Sequence, residues 1–222
     1  IRQDPFFQTT FDPVPVRTTS RIIRGMADAA AAAGVGPMAA VAGAVATAAL
    51  QAVRQDCRYC VIDNGGDIAL RTDRPVRIGL YAGDSPLSGR YAFVLQPDSG
   101  IYGVCTSSAT VGHSISLGSA DSVTVFGPDP VLADAVATAV CNLLTPDDLS
   151  CLDRLGEGVD GIFSVFDEKS ISWGTIPPLI RARVDERLIT SGPGRVGRTP
   201  HQERVCVSDH QEDPGDEQDR IG

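Results

Sequence analysis

The sequence predicts an α+β fold in which helices pack against a mixed or antiparallel sheet. Three observations favour it: two helical segments come first, a run of short strands follows, and one long helix separates these strands from a terminal hairpin. Helices and strands are thus grouped instead of alternating, which does not suit a parallel βαβ sheet. We expect one domain at residues 1–190 and a polar, acidic, disordered tail at 191–222.

The first two helical segments share an uncharged run, Ala29–Leu50. This run is long enough to be considered as a membrane span. The run consists mostly of Ala and Gly and has a single Leu, whereas insertion is driven by Leu, Ile, Phe and Val. Gly34 can end one helix in the left-handed conformation, and Pro37 suits the first turn of the next. We therefore predict helices at about 20–33 and 37–55 and no membrane association.

The turn between these helices reads Gly34-Val35-Gly36-Pro37-Met38-Ala39 and satisfies the G-x-G-x-x-G/A pattern. A dinucleotide fold needs a strand before the first Gly, and here a helix precedes it, so that interpretation fails. Two alternatives stay open for Gly34 and Gly36. The turn either presents helix N–H groups to an anion, or it is a tight connection without a ligand.

The strands begin with a hairpin, because Asn64-Gly65-Gly66-Asp67 separates two β-rich segments. Two adjacent Gly would also let a ligand approach the backbone. Further strands are predicted at 76–81 and 91–96. A loop rich in hydroxyl groups, Thr106–His113, suits a polar ligand but could equally be an ordinary turn.

The late helix is the most clearly marked element, with Asp129 as N-cap and Pro130 as its first residue. Asp134 and Thr138 are four residues apart and share a helix face that apolar residues flank. A carboxylate and a hydroxyl are oxygen ligands suited to Mg²⁺. The alternative is that Asp134 caps or pairs locally while Thr138 bonds back to its own helix. After a short helix, a terminal hairpin would complete a core with Phe163, Phe166 and Trp173.

Charge and cysteine content exclude several classes of function. The net charge is −9, and residues 209–222 contain six acidic residues against one Arg, so nucleic-acid binding is not expected. No G-x-x-x-x-G-K-[ST] motif occurs, which excludes a P-loop. The six Cys, including the pair in "CRYC", are expected to be free and mostly buried. No secretory signal is visible, which favours the cytoplasm, and the start at Ile1 predicts a truncated or processed N-terminus.

Three motifs together resemble the ApbE-like superfamily, whose fold is related to the T-fold. "NGGDI" (64–68) resembles its Gly-Gly hairpin, "CTSSA" (105–109) its T-S-G turn, and "SVTVFGPDPVLADAVATAV" (122–140) its strand-to-helix segment. The sequence is most similar to a branch that carries "GVGPMAAVAG", "NGGDI" and a "GHS" segment in this order. The resemblance covers about residues 20–175.

The best-known members of the superfamily are Mg²⁺-dependent FAD:protein FMN transferases. The resemblance implies Mg²⁺ and FAD or FMN as cofactors, Asp134 and Thr138 as metal ligands, a flavin or nucleotide ligand, and a possible protein acceptor. A homodimer is also possible. His113 is the candidate for catalytic proton transfer. The expected cofactor-binding residues are Gly34, Gly36, Asn64, Gly65, Gly66, Asp67, Thr106, Ser107 and Ser108.

One motif of the transferases is missing: the interval before the late helix has no H-I-x-D-P-x-T-G and contains only Gly112-His113-Ser114 and Ala120-Asp121. An alternative is therefore a protein that binds a flavin or nucleotide without catalysing transfer. A third hypothesis, an assembly component without a ligand, leaves Asp134 without an explanation.

Overall fold

The computed structural model describes residues 5–109 and 118–184, and its nine strands form two antiparallel sheets. The strands are β1 Cys60–Asn64, β2 Asp67–Thr72, β3 Val76–Gly79, β4 Tyr91–Leu95, β5 Asp98–Ser107, β6 Ser122–Gly127, β7 Gly161–Phe166, β8 Lys169–Gly174 and β9 Leu179–Arg181. The helices are α1 Pro5–Thr9, α2 Arg21–Ala33, α3 Val41–Val53, α4 Pro130–Leu143 and α5 Cys151–Leu155. The larger sheet has the order β1-β2-β5-β6-β7-β8, and the smaller one β3-β4-β9. The α+β prediction is confirmed, and all strand pairs in the described residues are antiparallel.

The uncharged run forms two helices, as predicted. Gly34 follows α2 with φ of 73°, and its N–H donates to Ala30 O at 2.8 Å. A 3₁₀ turn, Pro37–Ala40, then leads into α3. No single helix in the described part of the chain has the length and apolar character needed to cross a membrane. Within residues 5–109 and 118–184, one bent pair of helices, 21–33 and 37–53, would qualify on length and composition together, and its halves meet at 109°.

The larger sheet lies between a helical layer and the smaller sheet. Val123 and Val125 of β6 point towards the helices, and Phe126 points the other way. On that second face, Phe93 of β4 packs edge-on against Phe126 at 4.8 Å and against Phe163 at 5.3 Å between ring centroids. Alternation along each strand therefore gives the larger sheet two buried faces.

The terminal hairpin is confirmed as β7 and β8, but its aromatic residues serve two cores. Phe163 lies between the sheets, whereas Phe166 and the partly buried Trp173 pack on the helical side. The Trp173 indole N–H donates to Asp153 Oδ1 of α5 at 3.2 Å. The hairpin therefore joins both layers instead of completing a single core.

Two features differ from the prediction. Thr106 and Ser107 are the last residues of β5 instead of loop residues, since they pair with Thr124 and Val123 of β6. The smaller sheet was not expected, and it is completed by the three-residue strand β9. His113 and the tail at 191–222 lie outside the described residues.

Candidate functional site

Two carboxyl groups meet where the larger sheet faces α3 and α4. Asp67 is the first residue of β2, and Asp134 lies in the second turn of α4 with only 5% of its surface exposed. Their side chains are hydrogen-bonded to each other, with Asp134 as the donor. Two carboxyl groups in this contact must share a proton or a cation, because two buried like charges repel strongly.

Asp134 also binds the backbone at the start of α3. Its Oδ2 accepts the N–H of Gly43 at 2.8 Å, and the N–H of Ala42 is a second donor. These are first-turn N–H groups, which lack partners within their own helix and favour a negative charge nearby. The acceptor at this helix start is therefore an oxygen of the protein's own carboxyl group.

Burial determines how the pair ionises. Loss of solvation raises the pKa of Asp67 to about 7, although the N–H of Thr106 counteracts the shift, and nearby Asp63 adds to it. Burial raises the pKa of Asp134 well above the usual range, and the charge of Asp67 raises it further. Both carboxyl groups therefore hold a proton to a higher pH than an exposed Asp does, and Asp134 is the more deeply buried of the two.

Two hydroxyl groups extend the cluster along α4. The Ser107 and Thr138 hydroxyl oxygens are 3.0 Å apart, so Thr138 bonds to the sheet. Since side chains alternate along β5, the Thr106 hydroxyl points to the other face, where it lies 3.0 Å from that of Thr124. Thr106 instead contributes its N–H, which donates to Asp67 Oδ1 at 3.2 Å.

The β1–β2 hairpin supports the site from its exposed end. Gly65 and Gly66 have φ of 74° and 101°, the two left-handed conformations that a tight hairpin turn requires. The Gly66 N–H donates to Asp63 Oδ1 at 2.9 Å. The Asn64 amide donates to Ala42 O at 3.2 Å, which fixes the hairpin to the start of α3.

Most of the predicted site residues lie in one region. The structure brings Asp134, Thr138, Asp67, Ser107 and Asn64 together, with Gly65 and Gly66 at the adjoining turn and Ser108 directly after β5.

The two glycines of the helix–helix turn have structural roles. Gly34 ends α2, and a side chain at Gly36 would collide with the Thr10 carbonyl. Whether either contacts a ligand stays a prediction. Gly43 was missed by sequence reasoning, although a glycine inside an Ala-rich helix is itself a signal of close packing.

The donor set suits a hard divalent cation with incomplete protein coordination. It offers two carboxylates and two hydroxyl groups, all oxygen ligands. In the described residues no three Asp, Glu, His or Cys side chains converge to hold a metal, and the one ion pair there joins Arg74 to Asp73, outside this cluster. Mg²⁺ is commonly held by one or two carboxylates plus water and substrate phosphates, so the site fits Mg²⁺ together with a phosphate-bearing ligand.

Comparison with known sequences gives consistent matches. The family described as "AbpE bacteria" matches residues 1–154. A "UPF0280 protein" of Methanospirillum hungatei is 63% identical over 193 residues, covering 86% of this chain and 79% of the relative. A "UPF0280 protein" of Methanothermobacter thermautotrophicus is 45% identical over 189 residues, covering 81% and 73%.

Among solved structures, the apo flavinyl transferase ApbE of Pseudomonas stutzeri is similar, with a TM-score of 0.46 and 17% identity over 64% of this chain. The flavin transferase ApbE of Vibrio cholerae gives 0.44 and 14% over 64%. The match spans about half of each transferase, 49% and 50%.

The family match covers more than half of the chain, and the relatives are well above 30% identical over most of their length. The superfamily expected from the three motifs is thereby confirmed. The chain belongs to the family described as AbpE bacteria, together with its UPF0280 relatives.

Proposed function

We propose that this protein binds a flavin, FAD or FMN, or a related nucleotide pyrophosphate, with FAD as the first candidate, through Mg²⁺ at the Asp67–Asp134 pair. The observation that supports this most is the pair itself: the buried carboxyl group of Asp134 in contact with the partly buried one of Asp67, and no cationic side chain bonded to either among the described residues. A divalent cation would replace the shared proton and offset the repulsion between the two charges.

Charge makes the cation necessary for such a ligand. A pyrophosphate would be repelled by ionised Asp67 and Asp134, and the described residues place no Arg or Lys in hydrogen-bond contact with either. When bound, Mg²⁺ would neutralise the phosphate oxygens and favour attack at phosphorus. Flavin binding should therefore depend on Mg²⁺, and Mg²⁺ alone should bind weakly.

The residues have distinct parts in this proposal. Asp134 and Asp67 supply the charged ligands, while Thr138 and Ser107 supply neutral oxygens beside them. The Gly65–Gly66 turn and Asn64 border the exposed side, where backbone can approach a ligand. The reaction proposed first is FMN transfer to a protein hydroxyl, with His113 as the candidate for accepting the proton of that hydroxyl.

A second candidate, flavin or nucleotide binding without transfer, is favoured by two observations. Gly43 already satisfies one Asp134 oxygen, so the carboxyl group has a structural role that needs no catalysis. The H-I-x-D-P-x-T-G motif of the transferases is also absent. The same hydrogen bond removes the main objection to an assembly component without a ligand, because Asp134 now has a structural explanation.

The test is a fluorescence titration of FAD with excess Mg²⁺ or with EDTA, combined with chromatographic detection of AMP. We expect saturable binding that weakens at least tenfold in EDTA, and AMP release if the protein is a transferase. Binding without AMP, in the presence of candidate acceptor proteins, would select the second candidate. Absence of FAD binding in both conditions would overturn the flavin proposal.

Two variants locate the site. Asp134→Asn keeps the shape and hydrogen-bonding capacity of the protonated side chain but removes its charge, so Mg²⁺-dependent FAD binding should be lost in a folded protein. Asp28→Asn on the exposed side of α2 is the matched control and should bind as the wild type does. Unchanged binding by Asp134→Asn would rule out the assigned site.

A further inference from the structure

The segment between α3 and β1 contains a pair of cysteines that the proposed function does not use. Cys57 lies four residues after the end of α3, and Cys60 is the first residue of β1. All five described cysteines are free, but Cys105, Cys141 and Cys151 are buried, whereas Cys57 and Cys60 are partly exposed. Among the five described cysteines, this pair alone therefore combines sequence proximity with access to reagents.

The two thiols interact with each other. The Cys57 thiol donates to Val53 O at 3.3 Å, which holds it beside the last turn of α3. Burial raises the pKa of Cys60, and the charge and hydrogen bonding of Cys57 raise it further. Arg71 is the cross-strand partner of Cys60, and Arg58 lies between the two cysteines.

We propose that Cys57 and Cys60 are a modification site that forms a reversible intramolecular disulfide on exposure to a low-molecular-weight disulfide such as oxidised glutathione. The Cys57 thiolate attacks one sulfur of oxidised glutathione, and one glutathione thiolate leaves. The Cys60 thiolate then attacks Cys57 Sγ, and the second glutathione leaves. Both protein thiols are oxidised, oxidised glutathione is reduced to two molecules of glutathione, and the two thiol protons pass to these products.

The order of attack follows from the environment of each thiol. Cys60 forms its thiolate less readily because it is partly buried beside Cys57, so it is assigned the second step. Arg58 and Arg71 supply positive charge that complements the carboxylates of glutathione.

The pair also differs from the dithiol of a redox enzyme. Catalytic C-x-x-C pairs sit at a helix N-terminus, which favours the thiolate. Here the motif follows the C-terminus of α3, where the helix dipole disfavours it. The pair is therefore suited to being oxidised and reduced by other molecules, and not to catalysing exchange.

Trypsin gives a direct test, because cleavage after Arg54, Arg58 and Arg71 separates the cysteines into peptides 55–58 and 59–71. The folded protein is incubated with oxidised glutathione, alkylated under denaturing conditions and digested without reductant. We expect these two peptides to be recovered joined by one disulfide, with two of the six thiols lost to alkylation. Reductant should release both peptides.

Single variants test the mechanism. Cys60→Ser should stop at Cys57 carrying one glutathione, whereas Cys57→Ser should give no linked peptide and less glutathione adduct. Recovery of both peptides alkylated and unlinked would overturn the proposal, as would linkage of either peptide to Cys206 or to a second chain. The readout is covalent mass, so it is independent of whether the protein binds FAD.

Discussion

Asp134 is a buried acid whose surroundings favour opposite protonation states. The α3 N–H groups favour its ionised form, while burial and Asp67 favour the protonated one. A side chain that accepts through Oδ2 and donates to Asp67 satisfies both. This explains how a carboxyl group is tolerated among the apolar residues of α4.

This arrangement predicts different effects for two substitutions of Asp134 in the metal-free protein. Asn can accept from Gly43 and donate to Asp67, so Asp134→Asn should change the free energy of unfolding by less than about 1 kcal/mol. Ala leaves the Gly43 N–H buried without a partner and should cost about 1–3 kcal/mol. Urea unfolding at pH 7.5 in EDTA measures both. Equal stability of the two variants would contradict the assigned hydrogen bonds.

Sequence reasoning found some of these residues because their relations are local. Asp134 and Thr138 share a face through helix periodicity, and Gly65–Gly66 follow from turn chemistry. It could not find the bond from Gly43 to Asp134, which joins residues 91 positions apart. Nor could it tell which of the Thr106 and Ser107 hydroxyl groups faces α4, because the pairing of β5 within the sheet decides this.

At the level of elements, the site depends on how closely α3 and α4 approach. A Cβ atom at Gly43 would collide with the Pro130 carbonyl and lie 2.9 Å from Asp134 Cβ. Gly103 similarly leaves room on β5 for Pro130, since a Cβ there would lie 2.7 Å from Pro130 Cα. Glycines on two sides of α4 thus let backbone contact backbone.

We predict that Gly43→Ala destabilises the protein by about 1–3 kcal/mol, because the added methyl group must separate α3 from α4. Gly25→Ala in α2 is the matched control: a Cβ there meets nothing within 4 Å, and the better helix propensity should stabilise by about 0.5–1 kcal/mol. Thermal unfolding of the two variants gives the comparison. A Gly43→Ala protein as stable as the wild type would show that the helices are not in close contact.

Elements with local signals were predicted well. The Ser20 and Asp129 side chains cap α2 and α4, and Gly34 ends α2. The smaller sheet escaped prediction because β9 is only three residues long, and its pairing with β4 joins residues more than 80 positions apart. Such a strand is stabilised by its pairing with β4 and not by its own sequence.

For the molecule as a whole, the carboxyl pair links folding to pH. Asp67 has a pKa of about 7 in the folded protein, against an ordinary value of 3.8, and Asp134 shifts in the same direction. The folded state therefore binds protons more tightly than the unfolded state between these values. Over that range stability falls as the pH rises, because the ionised pair is destabilised only in the fold.

We accordingly expect the unfolding free energy attributable to Asp67 to decrease from about pH 4 to about pH 7, while Asp134, whose pKa is also raised, extends the decrease to higher pH. The groups facing Asp67 are Asp63, Cys105, Asp134 and the Thr106 N–H. The measurement is urea unfolding across this range in EDTA, comparing the wild type with Asp67→Asn. The variant should show a flatter dependence, and identical slopes would mean that Asp67 ionises normally.

The bond from the Asn64 amide to Ala42 O has a consequence for recognition. It ties the β1–β2 turn at the edge of the larger sheet to the same peptide segment that binds Asp134. One short stretch of chain, Ala42–Gly43, thus positions both the hairpin turn and the buried carboxyl group. A ligand that shifts this stretch would move both together, so the two sides of the site would respond to binding as a unit.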